Sequence, residues 1–341
     1  MLTALLITAI FGTAIYLFQL SLPAEPHHSR HGGFLTSIND IPPLGLGTWL
    51  SDRDKVAHAV EYAVGDKRGY RHIDAAAAYK NEDKVGKGIK ASGINRKDIW
   101  VTSKLWNSDH QRDAAHRAIK KTIDDLSVEY LDLYLMHWPV AFLPDSKDNE
   151  LDTETTIIDT WRTMEELVRA NYTRYIGISN FSPADVETIL AACEICPYAH
   201  ELELHPYLQQ QEFVDWHLEH GIKVIAYSPL GNTNPTYDSK LPPLLDDPFW
   251  NAMAAIKQAT VAQIVLAWGL QRGTVVIPKS VHEKHIEDNL RALEITFSEE
   301  EMRRIGDQDR RRRMNDPGRS WGVALFNGLD DPTDLGRGDE L

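Results

Sequence analysis

The 341-residue chain has only two cysteines, Cys193 and Cys196, and they form a single C-x-x-C. No further thiol is present to complete a metal set around them. That spacing also suits a redox pair, but a thioredoxin-type site opens a helix. Here the pair closes a helix-like stretch, residues 183–196, with Pro197 behind it. The two thiols are therefore read as a packing or incidental pair. Cations are scarce as well: 36 Lys and Arg stand against 50 Asp and Glu, a formal net charge of -14. That balance argues against nucleic acid as a partner, because phosphate binding needs clustered cations. One local exception, the four arginines of residues 310–313, reads as a solvated turn rather than a phosphate site. The chain also lacks a complete glycine-rich nucleotide turn. Gly45-Leu46-Gly47-Thr48 has neither the third glycine nor a helix opening directly behind it, which sets aside a doubly wound sheet. Nor does a Pro/Gly-rich linker divide residues 34–300, so that stretch is expected to form one domain.

A hydrophobic fraction of 43% with 25% charged residues is ordinary for a globular chain with a sizeable core. Apolar residues are most concentrated at the N-terminus, where residues 2–22 carry no charged side chain. That length suits a span of roughly 20 residues. A secretory signal has a shorter apolar core, usually ~7–15 residues, and a basic start. Leu22-Pro23-Ala24 offers a cleavage site, but the long run favours an uncleaved anchor. Arg30, with His27, His28 and His31, pulls the following domain toward the cytosol. The last four residues, Gly338-Asp339-Glu340-Leu341, pull the other way. They match an endoplasmic reticulum retrieval signal with Gly in place of Lys or His, and such a signal is read only in the lumen. A chance acidic tail is the alternative. The expected layout is an anchor and linker over residues 1–33 and a catalytic domain over 34–341, membrane-associated at the endoplasmic reticulum, with either side open.

From residue 34 on, short apolar runs alternate with amphipathic stretches. Strands are expected to end near Thr48, Asp74, Lys104, His137, Ser179, Leu204, Ser228 and Lys279. Helices are expected over residues 55–64, 84–91, 113–126, 157–170, 183–196, 212–220, 260–272 and 284–293. Eight strand-helix repeats point to an α/β fold of the (β/α)8 barrel type. The polar stretches 141–155 and 231–243 read as long loops on the face where barrel chemistry occurs. The segment from Asp307 onward has little periodicity and is expected to wrap over that face.

The strand ends carry an unusual polar set: Asp74, Tyr79, Lys104 and His137. Taken singly, each has a bland reading: a helix-capping Asp, a surface Tyr, a solvated Lys and a core His. Neighbouring strand ends in a barrel bring them together. A free phenol, with a pKa near ~10, is a weak acid at neutral pH. An adjacent ammonium would lower that pKa, and a carboxylate would hold the ammonium charged and in place. An imidazole can then hydrogen-bond an oxygen on which negative charge develops.

These segments resemble the aldo-keto reductase family over residues 34–327. The matching stretches are 45–49, 72–82, 101–107, 134–139, 176–182, 202–206, 226–231 and 276–289. The wording around 202–211 and 227–234 is most similar to the fungal aldehyde reductase and glycerol dehydrogenase branch. The resemblance implies a barrel with an N-terminal β-hairpin and a C-terminal arm over the active-site face. It further implies that Tyr79 donates a proton, Lys104 and Asp74 tune it, and His137 orients a carbonyl. The implied cofactor is NADP(H). Ser179 and Asn180 would hold the nicotinamide amide, Tyr227 would stack on the ring, Ser228 and Leu230 would line the pyrophosphate, and Thr48 would also meet the cofactor. Lys279, Ser280 and Val281 would meet the adenosine 2'-phosphate, with Asp288 and Asn289 near the adenine. Trp49, Trp106 and Trp138 would wall an apolar substrate pocket, with Trp321 or Phe326 closing it. Asn180-Phe181-Ser182 then makes a poor glycosylation sequon, and Asn171-Tyr172-Thr173 a better one if the domain is lumenal.

Two positions depart from the family pattern. Glu201 stands where Gln usually contacts the nicotinamide carboxamide, and His285 where Arg usually lies beside the 2'-phosphate. The expected activity is NADPH-dependent reduction of aldehydes or ketones by a monomeric catalytic domain without a metal. A polyol dehydrogenase working oxidatively would use the same residues, and a non-catalytic cofactor-binding sensor or tethered subunit is the alternative of another class.

Overall fold

In the computed structural model, residues 38, 40–65, 69–146, 148–231, 233, 236, 237 and 241–329 are described. All of them fall within one unit, Gly33–Leu341. The apolar segment 2–22 and the acidic C-terminal tetrapeptide lie outside the described residues, as does most of the stretch before residue 40; the described residues 40–45 form no strand of the expected hairpin ahead of the first.

Eight strands pair in chain order, all parallel: β1 Leu46–Gly47, β2 His72–Asp74, β3 Trp100–Leu105, β4 Leu131–Met136, β5 Thr173–Ser179, β6 Ala199–Glu203, β7 Lys223–Tyr227 and β8 Val275–Val276. Bridges Leu44↔Val276 and Gly47↔Lys279 join the eighth strand to the first. The sheet therefore closes on itself and has no edge to protect. β3 and β4 are buried at every residue, because helices cover the outside and facing side chains fill the inside.

The helices are α1 Arg53–Val64, α2 Glu82–Ser92, α3 Arg112–Leu126, α4 Ile157–Arg169, α5 Pro183–Ala192, α6 Gln211–Glu219, α7 Pro248–Lys257, α8 Val261–Gln271, α9 Glu283–Leu290, α10 Glu299–Gly306 and α11 Gly318–Trp321. Several starts are written into the sequence as capping boxes: Thr156 with Asp159, Ser182 with Asp185, Thr260 with Gln263, and Ser298 with Glu301. In each, the two side chains satisfy backbone N–H groups that a helix start leaves unpaired. Close helix packing depends on glycine. A methyl group on Gly86 would meet the Asp125 carbonyl oxygen at 2.3 Å, and one on Gly88 would meet the Ala57 carbonyl oxygen at 2.3 Å. These two glycines let α2 lie against both α3 and α1.

The fifth helix stops four residues earlier than expected. Cys193 ends it, and Cys193 and Cys196 are joined as a disulfide rather than standing as an incidental thiol pair. The buried Glu165 of α4 finishes the turn by accepting from the Glu194 and Ile195 N–H groups at 2.6 and 3.0 Å. The four arginines of residues 310–313 are also not a simple solvated turn. Arg310 lies over the Tyr207 ring and pairs with Asp247 at 2.9 Å, while Arg313 lies over Phe326 and donates to Gln210. They clamp the C-terminal arm to the barrel. Among the described residues no single helix is long and apolar enough to cross a membrane.

Candidate active site

The C-terminal ends of the strands surround a cleft of about 830 Å³. Its deepest wall is built by β2, β3 and β6. Asp74 ends β2, Lys104 sits one residue before the end of β3, and Glu201 lies in the middle of β6. The Lys104 ammonium is fully buried and donates to Asp74 Oδ1 at 2.7 Å and to the Ala75 carbonyl at 3.1 Å. Glu201 Oε1 lies 3.3 Å from the same nitrogen. Burial alone would pull the lysine pKa down, but the Asp74 and Glu201 carboxylates outweigh it and hold the ammonium charged.

Tyr79 follows on a short 3-10 turn, and its ring stands edge-on to His137 with centroids 5.9 Å apart. The lysine does not lower the phenol pKa below its ordinary value. Burial raises it, Lys104 opposes that, and the Asp74 and Glu201 charges raise it further. Tyr79 is consequently a protonated phenol across the physiological range. Burial and the Lys104 charge hold His137 neutral, its pKa well below the usual imidazole value. Its Nδ1 is buried without a partner. With the ring proton on Nε2, the cleft is offered an N–H donor. The four residues that looked unremarkable singly converge on one point.

Around them the other expected residues divide. Thr48, Ser179, Asn180, Glu201, Tyr227, Ser228, Leu230 and Lys279 all line the cleft. Asn180 has a left-handed backbone (φ 64°) and is tied on both amide ends. Its Nδ2 donates to the His137 carbonyl, and its Oδ1 accepts from the Tyr227 hydroxyl at 2.8 Å. Buried and bonded in this way, it cannot carry a glycan. Asn171 of the other sequon is exposed. Ser280, Val281, His285, Asp288 and Asn289 lie outside the cleft, the first two just ahead of α9 and the others on it. There Lys279 and His285 are exposed, and His285 stands 5.4 Å from the His282 ring. Val281 turns its side chain onto the core, Asp288 is held by Lys284 at 2.6 Å, and Asn289 is buried.

Trp49, Trp106, Trp138 and Trp321 line the cleft, and the last three meet at edges, with Trp321 5.1 Å from Trp138 and 6.2 Å from Trp106. Phe326 does not line it. It is buried behind Trp138, sandwiched by Arg313. Sequence reasoning missed Phe142, which backs Trp321 at 5.2 Å, and Tyr237, whose hydroxyl bonds Ser228 Oγ at 2.7 Å. It also missed Asn315, which donates to the Tyr227 hydroxyl. A lone aromatic in the polar 231–243 loop was the available signal for Tyr237.

The donor set fits a dinucleotide phosphate. Hydroxyls and the Asn180 amide lie along the floor, and an ammonium and an imidazole stand at the start of α9, which has no side-chain cap on its own N–H groups. A methyl group on Gly47 would strike the Ile277 carbonyl oxygen at 2.7 Å, so the backbone at the cleft rim is as close as it can be.

A parallel eight-strand barrel with this lysine, tyrosine and histidine at its carboxyl end defines a carbonyl oxidoreductase class, and the comparisons agree. Residues 43–309 match the Aldo/keto reductase family, and the chain belongs to it. It is 46% identical over 306 residues to an uncharacterized oxidoreductase of Schizosaccharomyces pombe, covering 87% of this chain and 94% of that protein. Human aldo-keto reductase family 1 member A1 is 39% identical over 278 residues, covering 78% and 85%. Among solved structures, an aldose reductase from Giardia lamblia superposes with a TM-score of 0.78 at 35% identity, covering 85% of this chain and all of that one. A Bombyx mori aldo-keto reductase in complex with NADP gives 0.78 at 32% identity, covering 84% and 95%. The chain is an NADP(H)-dependent oxidoreductase of the CH-OH/C=O type.

Proposed function

We propose that the enzyme reduces apolar aldehydes and ketones to alcohols, with Tyr79 as the proton donor. The observation that carries this is the buried Lys104, held charged beside a phenol and a neutral imidazole under an aromatic wall. NADPH supplies the hydride when bound, held by Ser179, Asn180, Tyr227 and Ser228 along the cleft and by Lys279, Ser280 and His285 at its adenosine end. His137 Nε2–H positions the carbonyl oxygen and stabilises the charge that gathers there. Tyr79 delivers its proton to that oxygen, and Lys104 stabilises the phenolate that remains. The tryptophans exclude water and favour a substrate with an apolar body. Tyr79→Phe should lower kcat by about two to four orders of magnitude while the Kd for NADPH stays within twofold. A variant with most of the wild-type kcat would remove Tyr79 from the mechanism.

We also propose that residues 2–22 hold the enzyme on the endoplasmic reticulum membrane with the barrel in the lumen. The Cys193–Cys196 disulfide supports that side, because such bonds persist in oxidising compartments. So does the acidic tail. Full-length protein should sediment with microsomes, and removal of residues 1–30 should release it. Endoglycosidase treatment should shift the wild type but not Asn171→Gln. A barrel digested by protease in sealed microsomes would place it on the cytosolic side instead.

A further inference from the structure

The lysine at the base of the cleft is shared by more groups than one ammonium can serve. Of its three N–H bonds, one goes to Asp74 Oδ1 and one to the Ala75 carbonyl. Glu201 Oε1, at 3.3 Å, and the Tyr79 hydroxyl both compete for the third. Behind the ammonium, Asp74 Oδ2 and Glu201 Oε2 are buried and receive no hydrogen bond from any other donor. The two carboxyl groups are instead within hydrogen-bonding reach of each other. Ionised carboxylates only accept, so two of them in contact away from water require a proton between them. The charges give the same answer. One ammonium and two carboxylates leave a buried net negative charge, and one proton cancels it.

We propose that Asp74 and Glu201 hold one proton in common, and that this proton reloads Tyr79 through Lys104 after each turnover. This rests on the reading of Tyr79 as donor. Once Tyr79 has given its proton to the substrate oxygen, a Lys104 N–H proton passes to the phenolate oxygen. Lys104 takes the carboxyl proton in its place, and the pair of carboxylates left behind takes one from water in the cleft, which Glu201 lines. One proton enters from water for each proton that leaves on the product, and no electrons move. The transfer runs downhill, since a carboxyl is ordinarily a far stronger acid than a phenol. The usual Gln at position 201 has no such proton to give. Glu201 is thus a positioning and relay residue rather than a contact to the nicotinamide alone. Other titratable groups that line the same cleft include His137 behind β4, Tyr227 on β7 and Lys279 behind β8. Burial keeps the first two neutral.

Infrared difference spectra of the apo-protein across pH read the shared proton directly. The wild type should show a carboxylic-acid carbonyl band that persists at neutral pH and shifts in deuterium oxide. In Glu201→Gln that band should be lost, because Asp74 alone beside Lys104 ionises. Glu82, buried between Ser103 and Thr122, and Asp109 are also pushed upward by burial, and any band from them should remain. The basic limb of kcat/KM for carbonyl reduction should coincide with titration of the lost band and disappear in Glu201→Gln. Glu201→Asp, which withdraws the carboxyl but keeps the charge, should weaken the band without restoring a glutamine-like profile. No Glu201-dependent band at neutral pH, or an unchanged basic limb in Glu201→Gln, overturns the proposal. If Tyr79→Phe remains active, the donor assignment fails, whatever the spectra show.

Discussion

Single side chains in this molecule derive their chemistry from what surrounds them. Lys104 is the clearest case, because its charge survives complete burial only through two carboxylates. Lys104→Met should therefore lower kcat about as far as Tyr79→Phe, by ~10²–10⁴, and it should also leave Asp74 and Glu201 without a cation. Thermal unfolding of this variant checks the second effect, and a Tm equal to the wild type would show that the carboxyls simply take up protons. His285 is the converse, an exposed group whose replacement should help. An arginine there adds a permanent charge-assisted hydrogen bond to a phosphate, worth about 1.5–3 kcal/mol. His285→Arg should tighten NADPH by roughly tenfold and leave NADH unchanged in calorimetric titration. An equal gain for both cofactors would place His285 away from the 2'-phosphate.

At the level of elements, periodicity was legible because it is local. It placed the helices that open after Thr156, Ser182 and Thr260 but not the one capped by Ser298, and the strand ends at Asp74 and Ser179 fall where the apolar runs stop. Asp74, Tyr79, Lys104 and His137 stood out only as a set at neighbouring strand ends, since each alone had a bland reading. What sequence could not show was who neutralises whom. The Glu201–Lys104 contact joins residues 97 apart in the chain, through strands that are not neighbours in the barrel, so no spacing encodes it. The expected drop in the Tyr79 pKa failed for the same reason, since it counted the nearby cation but not the burial and the second anion. The Glu165 turn was equally hidden, a helix carboxylate closing the end of the next helix. Glu165→Ala should strand two backbone N–H groups and cost about 2–4 kcal/mol, read as a lower urea midpoint with an unchanged m-value. A cost below 0.5 kcal/mol would mean that water replaces the carboxylate there.

Taken whole, the barrel is a container for uncharged histidines. His72 and His110 are pushed down to about 3 and His217 to about 4, with His137 and His200 also well below the ordinary value, in each case chiefly by burial. His200 and His217 form a chain: the Phe181 N–H donates to His200 Nε2, His200 Nδ1 meets His217 Nε2 at 2.8 Å, and His217 Nδ1 meets the Phe213 carbonyl. Neutral tautomers fill every place in it. Because the folded pKa values lie below the unfolded value near ~6.5, the stabilisation is complete above that pH and is lost as pH falls toward the folded values. Each histidine contributes up to about 1.4 kcal/mol per pH unit in that window, and Asp74, Glu82 and Glu201, whose pKa values are raised, offset part of the loss. Against a typical total of ~5–15 kcal/mol, five such groups should unfold the protein between about pH 5 and 4. Urea midpoints measured from pH 8 to 4 should be level above 6.5 and fall steeply below 6. A level profile throughout would mean that the buried histidines do not resist protonation.

Glu203, two residues beyond Glu201 on β6, grips the C-terminal arm by accepting from the Met314 and Asn315 N–H groups, both at 2.8 Å. The grip is on backbone, so it does not depend on which side chains the arm carries. Trp321, which lines the cleft, lies a few residues past that fastening point. The arm is in this sense an interchangeable fitting: its side chains, and with them the rim of the cleft, can be rewritten while the clasp beneath stays as it is.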